Sequence, residues 1–269
     1  MLQPLHVSLD LDSTLVYAIQ NEPFDMPFDF ETACSPALSQ SFRVKKRPGV
    51  DAFFAWLAKH GNGIEVSVFT ASVAEYADMV VSNLDPQRLV IDRVLSRSSC
   101  SPSPIKGCLT KDLRNLGSDL RRTVLVDNDI QVFHRQPDNG IHVSDFLGGN
   151  EEDTELLRVC GVLESLLYVA DVREVLRSQF SLQIQVREYL HAMIDAFPGH
   201  TEDPTKMQDT DDASLCRVWW LTLHTGVRSS VSWCRGVWSL KPVAEARWFF
   251  RCLSCRTRRQ HVPLSEFCA

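Results

Sequence analysis

A chain of 269 residues is long enough for one sizeable folded domain, or for one domain with an appendage. Its composition, 44% hydrophobic and 23% charged, is typical of a soluble globular protein, and no run of about 18 apolar residues indicates a membrane span. The net charge is −6, and the nine cysteines lack the spacing of a disulfide framework, which predicts free thiols in a reducing compartment.

The first predicted element is a strand. Polar and apolar residues alternate over Leu5–Leu9, as in a half-buried strand. This strand begins so close to Met1 that we expect no secretory signal peptide. Residues 17–42 are rich in Pro, Phe, Asp and Ser, and we interpret them as an insertion of short strands or irregular structure. A helix is then predicted from Pro48, ending at the glycines of 61–63.

Further strands and helices alternate along the rest of this region. The predicted strands are Ile64–Thr70, Leu89–Leu95, Arg122–Asp127 and Ile141–Val143. Ser72 and Glu75 have the spacing of a capping box, which predicts a helix from there to about Leu84. Residues 153–197 have helical periodicity with a break near Val169. This alternation predicts an α/β fold with a doubly wound, mostly parallel sheet, a small insertion after the first strand and no large cap domain.

The composition changes near residue 199. We divide the chain into a domain over 1–198, a polar, acidic linker over 199–216 and a basic tail over 217–269. The tail has nine Lys and Arg against two Asp and Glu, and five of the six tryptophans. We expect it to be disordered or an error in the gene model, and we expect no direct nucleic-acid binding. Cys252 and Cys255 lack a second ligand pair at a trusted spacing, so no zinc site is predicted.

Polar groups that suit phosphoryl transfer occur at the ends of the predicted elements. In chain order they are Asp10, Asp12, Thr70, Lys111, Asp127 and Asn128. Most of them follow parallel strands, whose carboxyl ends share one edge of a sheet. The set offers a nucleophilic carboxylate, a second carboxylate for proton transfer, a hydroxyl beside a helix start, one cation and an acid–amide pair for a hard metal. This inventory predicts phosphoryl transfer with Mg²⁺ as cofactor.

The same motifs resemble those of a known family. They are Asp10–Val16, Lys46–Gly49, Phe69–Ser72, Glu75–Asp78, Lys111–Leu113, Leu116–Leu120, Val126–Asn128, Gln136–Ile141 and Asp153–Leu156. Over roughly residues 5–180, the chain is similar to phosphatases of the haloacid dehalogenase superfamily. The resemblance is to the small phosphatases, related to NLI-interacting factor, that act on the RNA polymerase II C-terminal domain.

This resemblance implies a role for each candidate residue. Asp10 would be the nucleophile, and Asp12 would be the general acid and base. The phosphate group would be held by Thr70, Ala71 and Lys111. The Mg²⁺ ligands would be Asp10, the backbone carbonyl of Asp12, Asp127 and Asn128.

We therefore expect a Mg²⁺-dependent protein serine/threonine phosphatase that works through an aspartyl-phosphate. Its partner would be a phosphoprotein such as the RNA polymerase II C-terminal repeats, and its location would be nuclear or cytosolic. Two alternatives remain open. One is a non-catalytic peptide-binding module like the receptor subunit of the mitochondrial inner-membrane translocase, and the other is a small-molecule phosphatase of the same superfamily. The oligomeric state is not predicted.

Overall fold

Strand β1, Leu5–Leu9, lies at the centre of a five-stranded sheet, and all five of its residues are buried. The computed structural model describes residues 2–20, 27–32, 41–105 and 107–196. The remaining strands are β2 (Val16–Gln20), β3 (Phe30–Thr32), β4 (Phe42–Lys46), β5 (Ile64–Phe69), β6 (Arg93–Leu95), β7 (Ser101–Pro102), β8 (Leu109–Thr110), β9 (Thr123–Asp127) and β10 (Gly140–His142). The helices are α1 (Val50–Lys59), α2 (Ala74–Leu84), α3 (Glu155–Leu166), α4 (Val172–Phe180) and α5 (Leu182–Ala196).

The central sheet is parallel throughout and has the strand order β10–β9–β1–β5–β6. From β1 the chain first builds outward through β5 and β6, then returns to place β9 and β10 on the opposite side. The strand order therefore reverses beside β1. The crevice at such a switch point, at the carboxyl ends of the strands, is where open α/β sheets bind ligands.

Apolar residues cover both faces of this sheet. On one face, β1 packs with α1, α2, α3 and α4 in a core that includes Leu9, Val124 and Val126. On the other face, Leu125 packs with α5 and with the short 3₁₀ turns that follow β8 and β9. Successive side chains of β9 point to opposite faces of the sheet, so this strand contributes residues to both cores. The predicted α/β doubly wound fold is confirmed.

The insertion after β1 forms a three-stranded antiparallel sheet in the order β2–β4–β3. Strand β4 was not predicted, because three of its five residues are Arg or Lys and a Pro-Gly pair follows it at 48–49. The predicted aromatic insertion is present in part. Phe30 lies in β3 and packs on the core, Phe28 is exposed beneath Arg43, and Phe24 lies outside the described residues.

The predicted strand Leu89–Leu95 is wrong over its first half. Only Arg93–Leu95 pairs with β5. The Asp85 carboxylate accepts hydrogen bonds from the backbone N–H groups of residues 89, 90 and 91, at 2.8–3.0 Å. An acidic side chain that collects three successive donors stabilises a turn, and that turn replaces the ladder hydrogen bonds of a strand.

The helix predictions need three smaller corrections. Helix α1 begins at Val50, two residues later than predicted, after Gly49 in the left-handed region at φ 84°. Helix α2 begins after Val73 without a side-chain cap, so the predicted capping box from Ser72 is wrong. The helical region 153–197 has the predicted break, where Asp171 caps α4, and a second break at Ser181 with φ 47°.

Several expectations fall outside the described residues, namely the linker 199–216, the tail 217–269 and the Cys252–Cys255 pair. The domain boundaries thus stay predictions. Within the described residues, Cys100 and Cys160 are free thiols. None of the described helices is long and apolar enough to cross a lipid bilayer.

Candidate active site

Two carboxylates meet one lysine at the switch point of the sheet. Asp10 directly follows β1 and Asp127 ends β9, and the Asp10 amide donates to the Val126 carbonyl at 3.0 Å. The Lys111 Nζ donates to Asp10 Oδ1 and to Asp127 Oδ2, each at 2.5 Å. The exposed fractions of Asp10, Lys111 and Asp127 are 6%, 3% and 1%. The structure therefore brings these three predicted residues into one buried ion-pair cluster.

Lys111 reaches this cluster from outside the main sheet. It follows β8, and the Thr110 hydroxyl donates to the carbonyl of Val132 at 2.7 Å. Val132 belongs to the 3₁₀ turn Ile130–Arg135, which begins just beyond Asp127. The backbone that carries the lysine is thus tied to the segment leaving β9.

Burial dominates the electrostatics of the cluster. It raises the pKa of the Asp10 carboxyl, although the Lys111 charge opposes the shift. Burial and the nearby Asp10 charge raise the pKa of Asp127 to about 8. Burial alone would lower the pKa of Lys111, but the two carboxylates outweigh it and raise that pKa. Lys111 therefore keeps its positive charge, and the two carboxyl groups beside it ionise less readily than free carboxyl groups.

Asp12, the second predicted carboxylate, does not contact Lys111. It is half-buried and turns toward the start of α2, where the Ser72 hydroxyl donates to its Oδ2 at 2.7 Å. The Tyr76 hydroxyl donates to its Oδ1 at 2.5 Å. The two carboxylates of the Asp10–Asp12 pair thus have separate environments, one beside a cation and one beside two hydroxyls.

Thr70 and Ala71 lie between β5 and α2, as predicted for phosphate-binding residues. Thr70 is buried, its amide donates to the Leu95 carbonyl at 2.9 Å, and its Oγ1 accepts from the Ser72 amide at 3.0 Å. Ala71 is exposed, and its carbonyl accepts from Arg97 Nε at 2.7 Å. These hydrogen bonds tie the segment to residues 95–97.

Cys100 links this segment to the charged cluster. Its thiol donates to the Thr70 carbonyl at 3.6 Å. Burial raises the pKa of Cys100 to about 11, while the Lys111 charge opposes that shift and the Asp10 and Asp127 charges add to it. The thiol stays protonated at neutral pH, so it is a hydrogen-bond donor and not a nucleophile.

Asn128 is held by three contacts beside the cluster. Its Oδ1 accepts from the Thr14 hydroxyl at 3.0 Å, its Nδ2 donates to Asp145 at 2.8 Å, and its carbonyl accepts from His142 at 2.9 Å. The Asp145 carboxylate only accepts hydrogen bonds, so it fixes which atom of the Asn128 amide is nitrogen and leaves the oxygen toward Thr14. Because Thr14 belongs to the loop of Asp10 and Asp12, this amide oxygen faces the same loop.

The donor set suits a hard cation such as Mg²⁺. Asp10, Asp127 and Asn128 offer carboxylate and amide oxygens, which Mg²⁺ prefers. Lys111 is one cation beside two carboxyl groups, and the raised pKa values of Asp10 and Asp127 show that a second negative charge is disfavoured there unless another cation balances it. Within the described residues, no three His, Cys, Asp or Glu side chains form a metal-binding group. A cation here would therefore rely on the Asn128 amide and on a backbone carbonyl.

Some residues of this site were not predicted from the sequence. Ser72 was interpreted only as a helix cap, and no site role was predicted for Tyr76, Thr14 or Asp145. Ser72 and Tyr76 are four residues apart, and the helix predicted from Ser72 would place both on one face. That spacing beside a predicted phosphate-binding segment is the signal that could have identified them.

Residues 5–173 match the family model described as NLI interacting factor-like phosphatase. The chain belongs to this family. The match covers both strands that carry the buried carboxylates, and it includes Thr70, Lys111 and Asn128. The family resemblance predicted from the motifs is therefore confirmed.

Several curated proteins are similar to this chain over about two thirds of its length. CTD small phosphatase-like protein 2 of Dictyostelium discoideum is 39% identical, covering 65% of this chain and 29% of that protein. CTD small phosphatase-like protein 3 of Caenorhabditis elegans is 35% identical, covering 67% and 61%. Human carboxy-terminal domain RNA polymerase II polypeptide A small phosphatase 2 is 37% identical, covering 62% and 58%. The chain spans about half the length of the curated relatives it matches.

A solved structure, that of Fcp1, an essential RNA polymerase II CTD phosphatase, is also similar. It is 22% identical and covers 81% of this chain and 61% of that chain, with a TM-score of 0.41. The strand order and strand pairing of this chain themselves define its fold.

Proposed function

We propose that this chain is a Mg²⁺-dependent protein serine/threonine phosphatase that works through an aspartyl-phosphate. The observation that carries the proposal is the buried cluster of Asp10, Lys111 and Asp127 at the switch point of the parallel sheet. Family membership supports the phosphatase class, and the names of the curated relatives support the RNA polymerase II C-terminal domain, or a similar phosphoprotein, as substrate. A nuclear or cytosolic location follows from the same proposal.

Asp10 is the nucleophile in this proposal. One of its oxygens attacks phosphorus, the bond from phosphorus to the serine or threonine oxygen breaks, and an aspartyl-phosphate forms on Asp10. Lys111 contacts the Asp10 carboxylate and carries a positive charge near the transferring group. That charge reduces the repulsion between an anionic nucleophile and a phosphate dianion.

Asp12 is the general acid and base. As an acid it gives its proton to the departing serine or threonine oxygen, and as a base it takes a proton from the water that attacks the aspartyl-phosphate. The second step releases inorganic phosphate and restores both carboxyl groups to their starting states. Asp12 suits this role because it lies in the loop that carries Asp10 but outside the buried lysine cluster.

Thr70 and the backbone of Ala71 hold phosphate oxygens at the start of α2. Helix starts favour anions, because backbone N–H groups and the helix dipole both point positive charge toward them. Asp10, the Asp12 carbonyl, Asp127 and Asn128 would hold Mg²⁺. When bound, that cation neutralises charge on the phosphate and offsets the excess of carboxylates.

A peptide is the substrate class that the fold favours. Within the described residues, the insertion between β1 and α1 is a small three-stranded sheet. An insertion of this size leaves room for an extended chain, whereas an enclosing cap would suit a small metabolite. The small size of the insertion therefore favours the protein phosphatase over the small-molecule phosphatase.

The test measures phosphate release by the full chain from a phosphoserine peptide of the polymerase repeat. We expect turnover with Mg²⁺, loss of turnover in EDTA, and recovery when Mg²⁺ is restored. Asp10→Asn should abolish turnover. Asp51→Asn is the matched control, because Asp51 of α1 is exposed and forms an ion pair with Lys46 of β4. This substitution should leave turnover unchanged.

Two results would replace the proposal. Turnover of sugar phosphates without turnover of the phosphopeptide would favour the small-molecule phosphatase. If the folded protein turned over neither substrate, the peptide-binding module would become the leading function, and binding of an unphosphorylated peptide would then be measured.

A further inference from the structure

Helix α2 and the loop that precedes it direct two hydroxyl groups to one carboxylate. Ser72 Oγ donates to Asp12 Oδ2 and Tyr76 Oη donates to Asp12 Oδ1, at 2.7 and 2.5 Å. Each oxygen of Asp12 thus accepts one hydroxyl, and the two donors are four residues apart in the chain. We call Ser72 and Tyr76 the hydroxyl pair.

The stability of α2 does not explain the contact made by Ser72. The helix starts after Val73, which has no side-chain group that could cap it. Ser72 and Glu75 have the spacing of a capping box, yet the Ser72 hydroxyl is turned to Asp12 instead. A capping side chain stabilises the first turn of a helix. The local sequence could supply this stabilisation, but the structure uses the hydroxyl elsewhere.

Tyr76 is a rigid donor. Its side chain is buried, and its ring packs edge-on against Phe42 of β4 with ring centroids 5.1 Å apart. Burial and the charge of Asp12 raise the pKa of Tyr76 well above its ordinary value, so the phenol keeps its proton. A buried phenol requires a hydrogen-bond partner, and here that partner is Asp12.

We propose that the hydroxyl pair positions the Asp12 carboxyl for proton transfer to the leaving oxygen and from the attacking water. This inference rests on the proposed phosphatase function. Hydroxyl groups donate to a carboxylate, and they accept when the carboxyl group is protonated, so the pair can hold Asp12 before and after each transfer. Ser72 and Tyr76 are positioning residues, since both act through Asp12.

The kinetic test compares leaving groups, because only a poor leaving group needs a well-placed acid. The full chain is assayed with a phosphoserine peptide, which must expel an alkoxide, and with p-nitrophenyl phosphate, which expels a stable phenolate. We expect Tyr76→Phe and Ser72→Ala to lower kcat/KM for the peptide about tenfold to a hundredfold. For p-nitrophenyl phosphate we expect a loss of less than about threefold.

Matched controls separate this effect from a general effect of substitution. Tyr168→Phe removes a hydroxyl from a side chain that is 86% exposed, and Ser82→Ala removes one from an exposed position of α2. Both should leave the two kcat/KM values unchanged. Asp12→Asn should show the same leaving-group selectivity as the hydroxyl-pair variants, with a larger loss on the peptide.

A second measurement does not depend on activity. Urea unfolding of the full chain in EDTA gives the unfolding equilibrium constant for Tyr76→Phe, Asp12→Asn and the double variant. Because hydrogen bonds to charged groups are strong, Tyr76→Phe should change this constant about tenfold less in the Asp12→Asn background than in the wild type. Equal changes in both backgrounds would overturn the inference.

The outcomes distinguish this inference from the proposed function. If the wild type releases no phosphate from either substrate, the phosphatase function fails and the positioning role fails with it. If the wild type is active, and the hydroxyl-pair variants affect both substrates equally, affect neither, or speed turnover of the peptide, the positioning role alone fails. If Tyr76→Phe does not fold, Ser72→Ala carries the same comparison.

Discussion

The charge balance of the buried cluster predicts a large effect of Lys111→Met on folding stability. The ammonium group contacts Asp10 and Asp127, and all three residues are at least 94% buried. Methionine has a similar length but no charge, so both carboxylates lose their cation. Removing one partner of a buried ion pair typically lowers the free energy of unfolding by about 3–5 kcal/mol, because the remaining charge has left water without compensation.

The same reasoning predicts a rescue. Asp127→Asn removes one of the two carboxyl groups, so the double variant Lys111→Met with Asp127→Asn leaves one buried carboxyl group without a cation where the single variant leaves two. We expect the double variant to recover about half or more of the lost stability. The sites are in contact, and their effects are therefore expected to be non-additive in this direction.

Urea denaturation of the full chain in EDTA, at pH 7.5, measures both effects. Lys46→Met is the matched control, because Lys46 forms an ion pair with an Asp51 side chain that is 76% exposed. Surface pairs contribute at most about 1 kcal/mol. A loss in Lys111→Met no larger than the loss in the control would refute the predicted effect of the buried charge. Further destabilisation on adding Asp127→Asn would refute the predicted rescue.

Three further predictions concern the scaffold around the site. Burial, aided by the Arg93 charge, lowers the pKa of His6 to about 4, so the unfolded state binds more protons between pH 6.5 and 4. The free energy of unfolding should have its full value above pH 6.5 and fall by about 2–3 kcal/mol as the pH drops to 4. His6→Gln should reduce this fall, as measured by urea denaturation at a series of pH values. The Arg122 guanidinium donates to the carbonyls of residues 166, 167 and 169 at the end of α3, so Arg122→Met should cost about 2–4 kcal/mol and increase amide hydrogen exchange there. At Gly140 a Cβ would lie 2.4 Å from a Leu182 side-chain atom, so Gly140→Ala should lower the thermal midpoint by an amount equivalent to about 1–3 kcal/mol, and an unchanged midpoint would contradict the close packing.

The strand-end residues could be predicted because two simple patterns agree. Alternating or continuous apolar residues identified β1, β5 and β9, and polar residues follow each of them. Parallel pairing then brings those ends to one edge, whichever helices connect the strands. Asp10 and Asp127 were therefore expected at one edge of the sheet, and the strand order, which places β9 beside β1, makes them neighbours. Lys111 was harder, since it follows a two-residue strand that is tied to the rest of the fold by contacts to Val132.

The contacts that long-range packing decides were not predicted. The strand expected at 89–91 became a turn because Asp85 supplies three hydrogen-bond acceptor contacts, and a carboxylate four residues away gives no periodic signal. Strand β4 pairs on both sides within the insertion, although its Lys-rich sequence favours an exposed segment. In both cases a contact to a specific partner outweighed the local preference.

Ser72 shows how a wrong local prediction can indicate function. Its sequence context favours a helix cap, and a cap would stabilise α2 in any fold. The structure instead gives the hydroxyl to Asp12, a residue 60 positions earlier in the chain. Natural sequences follow local rules almost everywhere, and departures concentrate where chemistry requires them. The departure at Ser72 occurs beside the carboxylate for which proton transfer is proposed, and the Tyr76 hydroxyl donates to the same carboxylate. Two independent donors that converge on Asp12 are better explained by a need to orient that carboxylate than by the stability of the helix.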